Sequence, residues 1–199
     1  MRRLLSIGAF VLIAVAGATA PRDAAAQNAT AFVQTLGTEA IQVLGPSVSP
    51  AQRLARFRQL FQNDFDVAGI GQFVLGRYWR TATPQQQQEF LQLFQEYVVQ
   101  AYATRLAQYG GEPFQVTGAR PSGEETVVSS QVIRPSGSPI QIDWYLINRG
   151  GQFRISDVYV GGVSMKVTQR DEFAAIIQHD GGRIDGLLTQ LRQKTTASR

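Results

Sequence analysis

The chain has 199 residues, a length for one domain or two small ones. With 44% apolar and 17% charged residues, it can bury a substantial core and is no disordered tail. It has no cysteine and a single histidine, His179, which excludes a disulfide scaffold, a thiol nucleophile and Cys- or His-rich metal sites.

The first residues read as an address. Met1-Arg2-Arg3 is a short basic segment, and Leu4 to Ala16 is uncharged and apolar apart from Ser6 and Gly8. Small residues follow, with Ala-x-Ala sites at Ala18-Thr19-Ala20 and Ala24-Ala25-Ala26. This is the layout of a secretory signal peptide, and Pro21 just after the first site favours the second. The apolar run is shorter than the roughly 20 residues of a membrane-spanning helix. Residues 1–26 are read as signal peptide and 27–199 as one mature domain. No cysteine follows the apolar run to carry a lipid anchor. Removing the leader lowers the formal charge from +4 to +2, so the basic excess speaks for export and not for nucleic acid.

The mature chain begins helical. Phe32, Val33, Leu36, Ala40, Val43 and Leu44 recur at helical spacing, and Gly45-Pro46 ends the run. Ser49-Pro50 is an N-cap with proline in the first turn, ahead of an apolar face of Leu54, Phe57, Leu60 and Phe61. Asp66 is placed to cap a short helix holding Ile70, Phe73 and Val74. Thr83-Pro84 repeats the cap signal and opens the longest helix, to about Tyr109, striped by Phe90, Phe94, Val98 and Tyr102. Gly110-Gly111 breaks the chain and the period becomes two. Strands are expected around Phe114 and Val116, over Thr126 to Ile133, over Ile140 to Ile147, and over Phe153 to Val160. After Gly161-Gly162 the helical period returns through Phe173 and Ile177, then through Ile184, Leu187, Leu188 and Leu191. Helices, an antiparallel four-stranded meander, then helices make an α+β fold.

Few residues offer chemistry. His179 sits where a helix ends and suits the dipole there. Gly162-Val163-Ser164-Met165 lacks the second glycine of a hydrolase elbow. Asp143 and Asp157, on adjacent expected strands, could act as acid and base on a small apolar substrate, with a tyrosine. That enzyme is one alternative reading, and a ligand-free adaptor is another. Acidic residues are scattered, which gives no metal site. Arg77-Tyr78-Trp79-Arg80 is the one basic–aromatic cluster; Arg77 and Arg80 suit lipid headgroups or an acidic partner, and ordinary surface pairing is the plain alternative. Eleven Phe, six Tyr and two Trp either fill a core or line a cavity between sheet and long helix.

One family matches these residues. Phe73-Val74-Leu75-Gly76-Arg77-Tyr78-Trp79-Arg80, then Thr81-Ala82-Thr83-Pro84 and a helix with Phe90, Phe94 and Tyr97, resembles the MlaC, or toluene-tolerance auxiliary, family. Asp157, Gly162-Val163-Ser164-Met165, Arg170, Phe173 and a Gly-Gly-Ile-Asp-Gly-Leu run near Gly182 to Leu187, with one residue inserted, extend the resemblance. It covers about Ala29 to Leu191. Gly161 departs from it, standing where the family usually has an acidic residue.

The resemblance implies a non-enzymatic lipid carrier in the periplasm, a monomer without cofactor or metal, whose fold is NTF2-like in part. Its cargo would be a phospholipid, or a hopanoid as in some relatives. Its partners would be an inner-membrane ABC transporter with a lipid-domain ring and an outer-membrane lipoprotein–porin complex. Shared faces and the resemblance together nominate a lipid lining. The sheet would supply Ile142, Trp144, Leu146, Val158 and Val160, and the turn beyond it Val163 and Met165. The long helix would add Phe94, Val98, Tyr102 and Leu106, and the family block Val74 and Tyr78.

Overall fold

The computed structural model describes residues 21–44, 48–106 and 110–196, without the side chains of 21–24, 43–44 and 104–106. The basic and apolar parts of the proposed leader lie outside these residues. Among the described residues, six α-helices and five strands follow in chain order. Helices α1 (Pro21–Leu44), α2 (Pro50–Asp64), α3 (Val67–Leu75) and α4 (Pro84–Leu106) come first, with a 3-10 turn over Gly76–Arg80. Strands β1 (Phe114–Ser122), β2 (Glu125–Val132), β3 (Ile140–Arg149), β4 (Gln152–Val160) and β5 (Val163–Ser164) form one antiparallel sheet in sequence order. Helices α5 (Met165–His179) and α6 (Ile184–Thr196) close the chain. The architecture is α+β.

The expected caps are in place. Ser49 and Gln52 exchange hydrogen bonds in a capping box at the start of α2. Asp66 accepts from the Gly69 N–H to cap α3. Thr83 and Gln86 make the same reciprocal pair ahead of α4. Each such cap contributes about 1 kcal/mol.

Two details differ from the sequence reading. Helix α1 is already helical from Pro21, the first described residue, ahead of the apolar face read from Phe32 onward. Ala24 to Ala26 are strong helix formers, and the stripe Ala29, Val33, Leu36 is almost fully buried. The sheet also has a fifth strand. Gly161 and Gly162 take φ of +58° and +83°, so a two-residue turn folds Val163 and Ser164 back onto Val160 and Tyr159. A side chain at position 161 would be strained there.

Two apolar clusters hold the molecule. The helical one joins α2 to α6 through Phe61, Val74, Leu75, Phe90, Phe94, Phe173, Ile177 and Leu188. The other joins α1 to the sheet through Ala29, Val33, Leu36, Val128, Leu146 and Ile155. Leu60 and Phe65 pack against both.

Candidate functional site

A cavity of about 240 Å³ lies between the helical cluster and the sheet. Phe57 and Phe61 of α2, Phe65 just after it, and Ile70 and Val74 of α3 form one wall. Phe94, Val98 and Tyr102 of α4 extend it. Ile142, Trp144, Val158 and Val160 form the sheet wall, and Met165, Lys166 and Gln169 of α5 close one side with Asp157.

The register explains the sheet wall. Ile142 pairs with Val160 and Trp144 with Val158, so four apolar side chains share one face. The Trp144 indole N–H donates to Ser130 Oγ at 2.8 Å, which hydroxyl donates in turn to the Ile142 carbonyl. The indole's polar edge is thereby satisfied, and its ring is free to face the cavity. On the helix side, α2 is clamped to α4 by Arg58, whose Nη2 reaches Glu96 Oε1 at 2.8 Å.

Nine of the residues nominated from sequence line this cavity: Val74, Phe94, Val98, Tyr102, Ile142, Trp144, Val158, Val160 and Met165. Three others sit elsewhere. Leu146 is on the same strand face, but a bulge after Tyr145 pairs it with Ile155, inside the α1–sheet cluster. Tyr78 lies in the 3-10 turn, packed on the helical cluster, and accepts a hydrogen bond from Arg77 Nη2. Val163 is at the sheet edge across from Val160 and is 54% exposed. The side chain of Leu106 lies outside the described residues. Arg77 and Arg80 are exposed on the 3-10 turn and do not face the cavity.

Phe57, Phe61, Phe65, Ile70, Lys166 and Gln169 were missed as lining residues. Helical period marks which face of α2 is inward. It carries no signal for whether that face meets other side chains or open space.

The two strand carboxylates are committed to structure. Asp157 is 2% exposed. Its Oδ2 accepts from Ser164 Oγ at 2.5 Å, and its Oδ1 accepts from the N–H groups of Val158 and Lys166. It therefore ties β4 to the start of α5. Asp143 accepts from Ser129 Oγ at 2.6 Å. Asp143 stands opposite Tyr159 and Asp157 opposite Tyr145. The two tyrosine rings lie 4.7 Å apart across the other diagonal, tilted by 30°. Loss of solvation, and then the Asp157 carboxylate, push the Tyr159 phenol above its ordinary 10.0, so it is neutral at pH 7. Among the described residues, no group of three or more acidic or histidine side chains is placed to hold a metal ion. No helix among them is long and apolar enough to cross a membrane.

Comparison with known proteins matches this geometry. The family model described as "MlaC protein" covers residues 34–193. The chain is 27% identical over 184 residues to the toluene tolerance protein ttg2D of Pseudomonas putida, spanning 92% of this chain and 84% of that one. It is 28% identical over 148 residues to the intermembrane phospholipid transport system binding protein MlaC of Haemophilus influenzae, spanning 70% and 68%. Among solved structures, a phospholipid-binding protein from Ralstonia solanacearum in complex with a phospholipid superposes with TM-score 0.72 at 24% identity. That alignment covers 85% of this chain and 97% of the other, and it shows a shared fold.

Proposed function

The chain belongs to the MlaC family, and on that premise we propose that it is an exported carrier holding a phospholipid by its acyl tails. The observation that carries this reading is the cavity. Its walls are aromatic and aliphatic almost throughout, and it lies between two clusters that are otherwise closely packed. The relatives named for phospholipid transport and binding support the same cargo. A hopanoid would suit the same apolar walls.

The energetics make such a carrier necessary. Each buried methylene contributes about 0.8 kcal/mol, so two tails of about fifteen methylenes gain on the order of 24 kcal/mol by leaving water. A tail crosses an aqueous compartment only inside a comparably apolar lining. Transfer between lining and membrane is then nearly balanced, and the carrier performs no chemistry on its cargo.

Residues 1–26 act as the export signal in this reading, and the compartment is the periplasm. Cleavage after Ala26 removes the helical residues 21–26 and spares the buried stripe Ala29, Val33 and Leu36. The mature domain would accept and deliver lipid between an inner-membrane ABC transporter and an outer-membrane lipoprotein–porin complex. Arg77 and Arg80, exposed beside Tyr78, are proposed contacts for one of these partners.

The test is native mass spectrometry of protein purified from cells, followed by organic extraction. About one lipid per chain is expected. Val158→Trp fills the cavity from the sheet wall and should lower occupancy at least tenfold in folded protein. Ile142→Phe is a milder filling from the adjacent strand, for use if the first variant does not fold. Wild-type protein without lipid, or filled variants with unchanged occupancy, would overturn the reading.

A further inference from the structure

Resting on the carrier reading, we propose that Lys166 makes the cavity selective for lipids with an anionic phosphodiester, holding the phosphate beside the apolar walls.

Among the described residues that line the cavity, Lys166 is the one cation and Asp157 the one carboxylate. An ammonium set against apolar surface is costly unless it meets water or a counter-charge. Asp157 is not that counter-charge. Its oxygens already accept from Ser164, from the Val158 N–H and from the backbone N–H of Lys166 itself. Among the described residues, no carboxylate pairs with Lys166 Nζ. The ammonium stands 4.9 Å from the centre of the Phe73 ring.

The neighbours of Lys166 on α5 add donors. Gln169, three residues on, also lines the cavity and uses one amide N–H on Glu172 at 3.1 Å, which leaves the second. Arg170 lies over the same Phe73 ring at 5.2 Å, with Asp171 as its ion-pair partner at 3.2 Å. The first N–H groups of α5 are not the binding element, since Asp157 and Ser164 cap them.

The result is a cation with a donor amide beside it, at the half-buried edge of a cavity whose other walls are hydrocarbon apart from Asp157 and the Tyr102 hydroxyl. A phospholipid presents the complement, a phosphodiester whose one negative charge is shared by two oxygens, joined through glycerol to two apolar tails. A neutral diacylglycerol or a polycyclic hydrocarbon has the tails or rings without the anion. Lys166 therefore adds affinity for the first class and none for the second.

The experiment uses delipidated mature protein, residues 27–199, and three ligands. They are a short-chain phosphatidylglycerol, the diacylglycerol with the same tails, and inorganic phosphate. Trp144, in the cavity wall, serves as fluorescent reporter, with calorimetry alongside. Wild type should bind the phospholipid about tenfold or more tighter than the diacylglycerol, the range of a charge-assisted hydrogen bond. Lys166→Met should remove that preference and leave diacylglycerol affinity within about twofold. Lys166→Arg should retain most of it. Inorganic phosphate alone should not bind at concentrations that saturate the lipid. Equal phospholipid affinity in wild type and Lys166→Met overturns the assignment, as does an equal loss for both lipids. Lys166-dependent binding of inorganic phosphate at lipid-like affinity overturns it in favour of a free-anion site. Failure of wild type to bind either lipid would instead remove the carrier reading itself.

Discussion

Phe94 and Leu146 are both at most 2% exposed, yet they belong to differently built cores. Phe94 has the helical cluster behind it and the cavity in front. Five other buried members of that cluster, Phe57, Phe61, Ile70, Val74 and Val98, face the cavity as well. No fully buried member of the α1–sheet cluster does so. The difference lies in how closely a helix approaches its neighbour. Gly37 of α1 lies so near the Phe114 ring that a Cβ there would meet it at 2.4 Å, so α1 seats directly on β1. Helices α2 to α4 meet the sheet closely only at the α2–α3 junction, where Phe65 bridges to Ile155, and elsewhere Phe and Trp side chains border the cavity between them. One side is a closed support, and the other is the wall of a container.

Truncation tests this division most strongly at Phe173, whose ring stands edge-on to Phe90 at 5.9 Å and to Phe94 at 6.3 Å. Phe173→Ala should cost about 3–5 kcal/mol in urea unfolding. It should also lower bound lipid, because Phe94 loses its backing. Leu146→Ala should cost about 2–4 kcal/mol and leave lipid per folded chain unchanged. If Leu146→Ala strips lipid as fully as Phe173→Ala, the two clusters are one wall and the comparison fails.

The smallest effect is expected where the clusters meet. The Asp64 carboxyl is held above its ordinary 3.8 by burial first and the nearby Glu39 second, with Arg154 opposing. A carboxyl with a raised folded-state value binds its proton more readily when folded. Stability therefore falls as pH rises from 3.8 through that value, and the ionised group is a standing cost above it. Asp64→Asn should raise Tm by about 1–3 °C at pH 7, and the gain should fade as pH approaches 3.8. A pH-independent gain would assign the effect to packing instead of charge.

Local signals were legible in the sequence where they are strong. Ser49, Asp66 and Thr83 announce their helices because side-chain capping is a contact within four residues. The Ile142, Trp144, Val158 and Val160 wall follows from strand alternation plus an antiparallel register. Leu146 and Val163 escaped that logic because a bulge and a two-glycine turn change what lies across from them. Phe57, Phe61 and Phe65 escaped because an inward face looks the same over a full core as over a void. Lys166 was invisible for a third reason, since one lysine early in a helix is indistinguishable from a solvated charge until the cavity beside it is known.

The junction of α2 and α3 has a further consequence. Phe65 bridges in parallel to Ile155, and the Asp66 N–H donates to the Ile155 carbonyl at 2.9 Å. Farther along the same border of β4, β5 covers Tyr159 and Val160. A bare strand border is a template on which a second molecule can add its own strand and start an aggregate. Here that border is stoppered at two points by the molecule's own backbone. On this side of the sheet the border that a second strand could join is already taken, while β1 forms the opposite border.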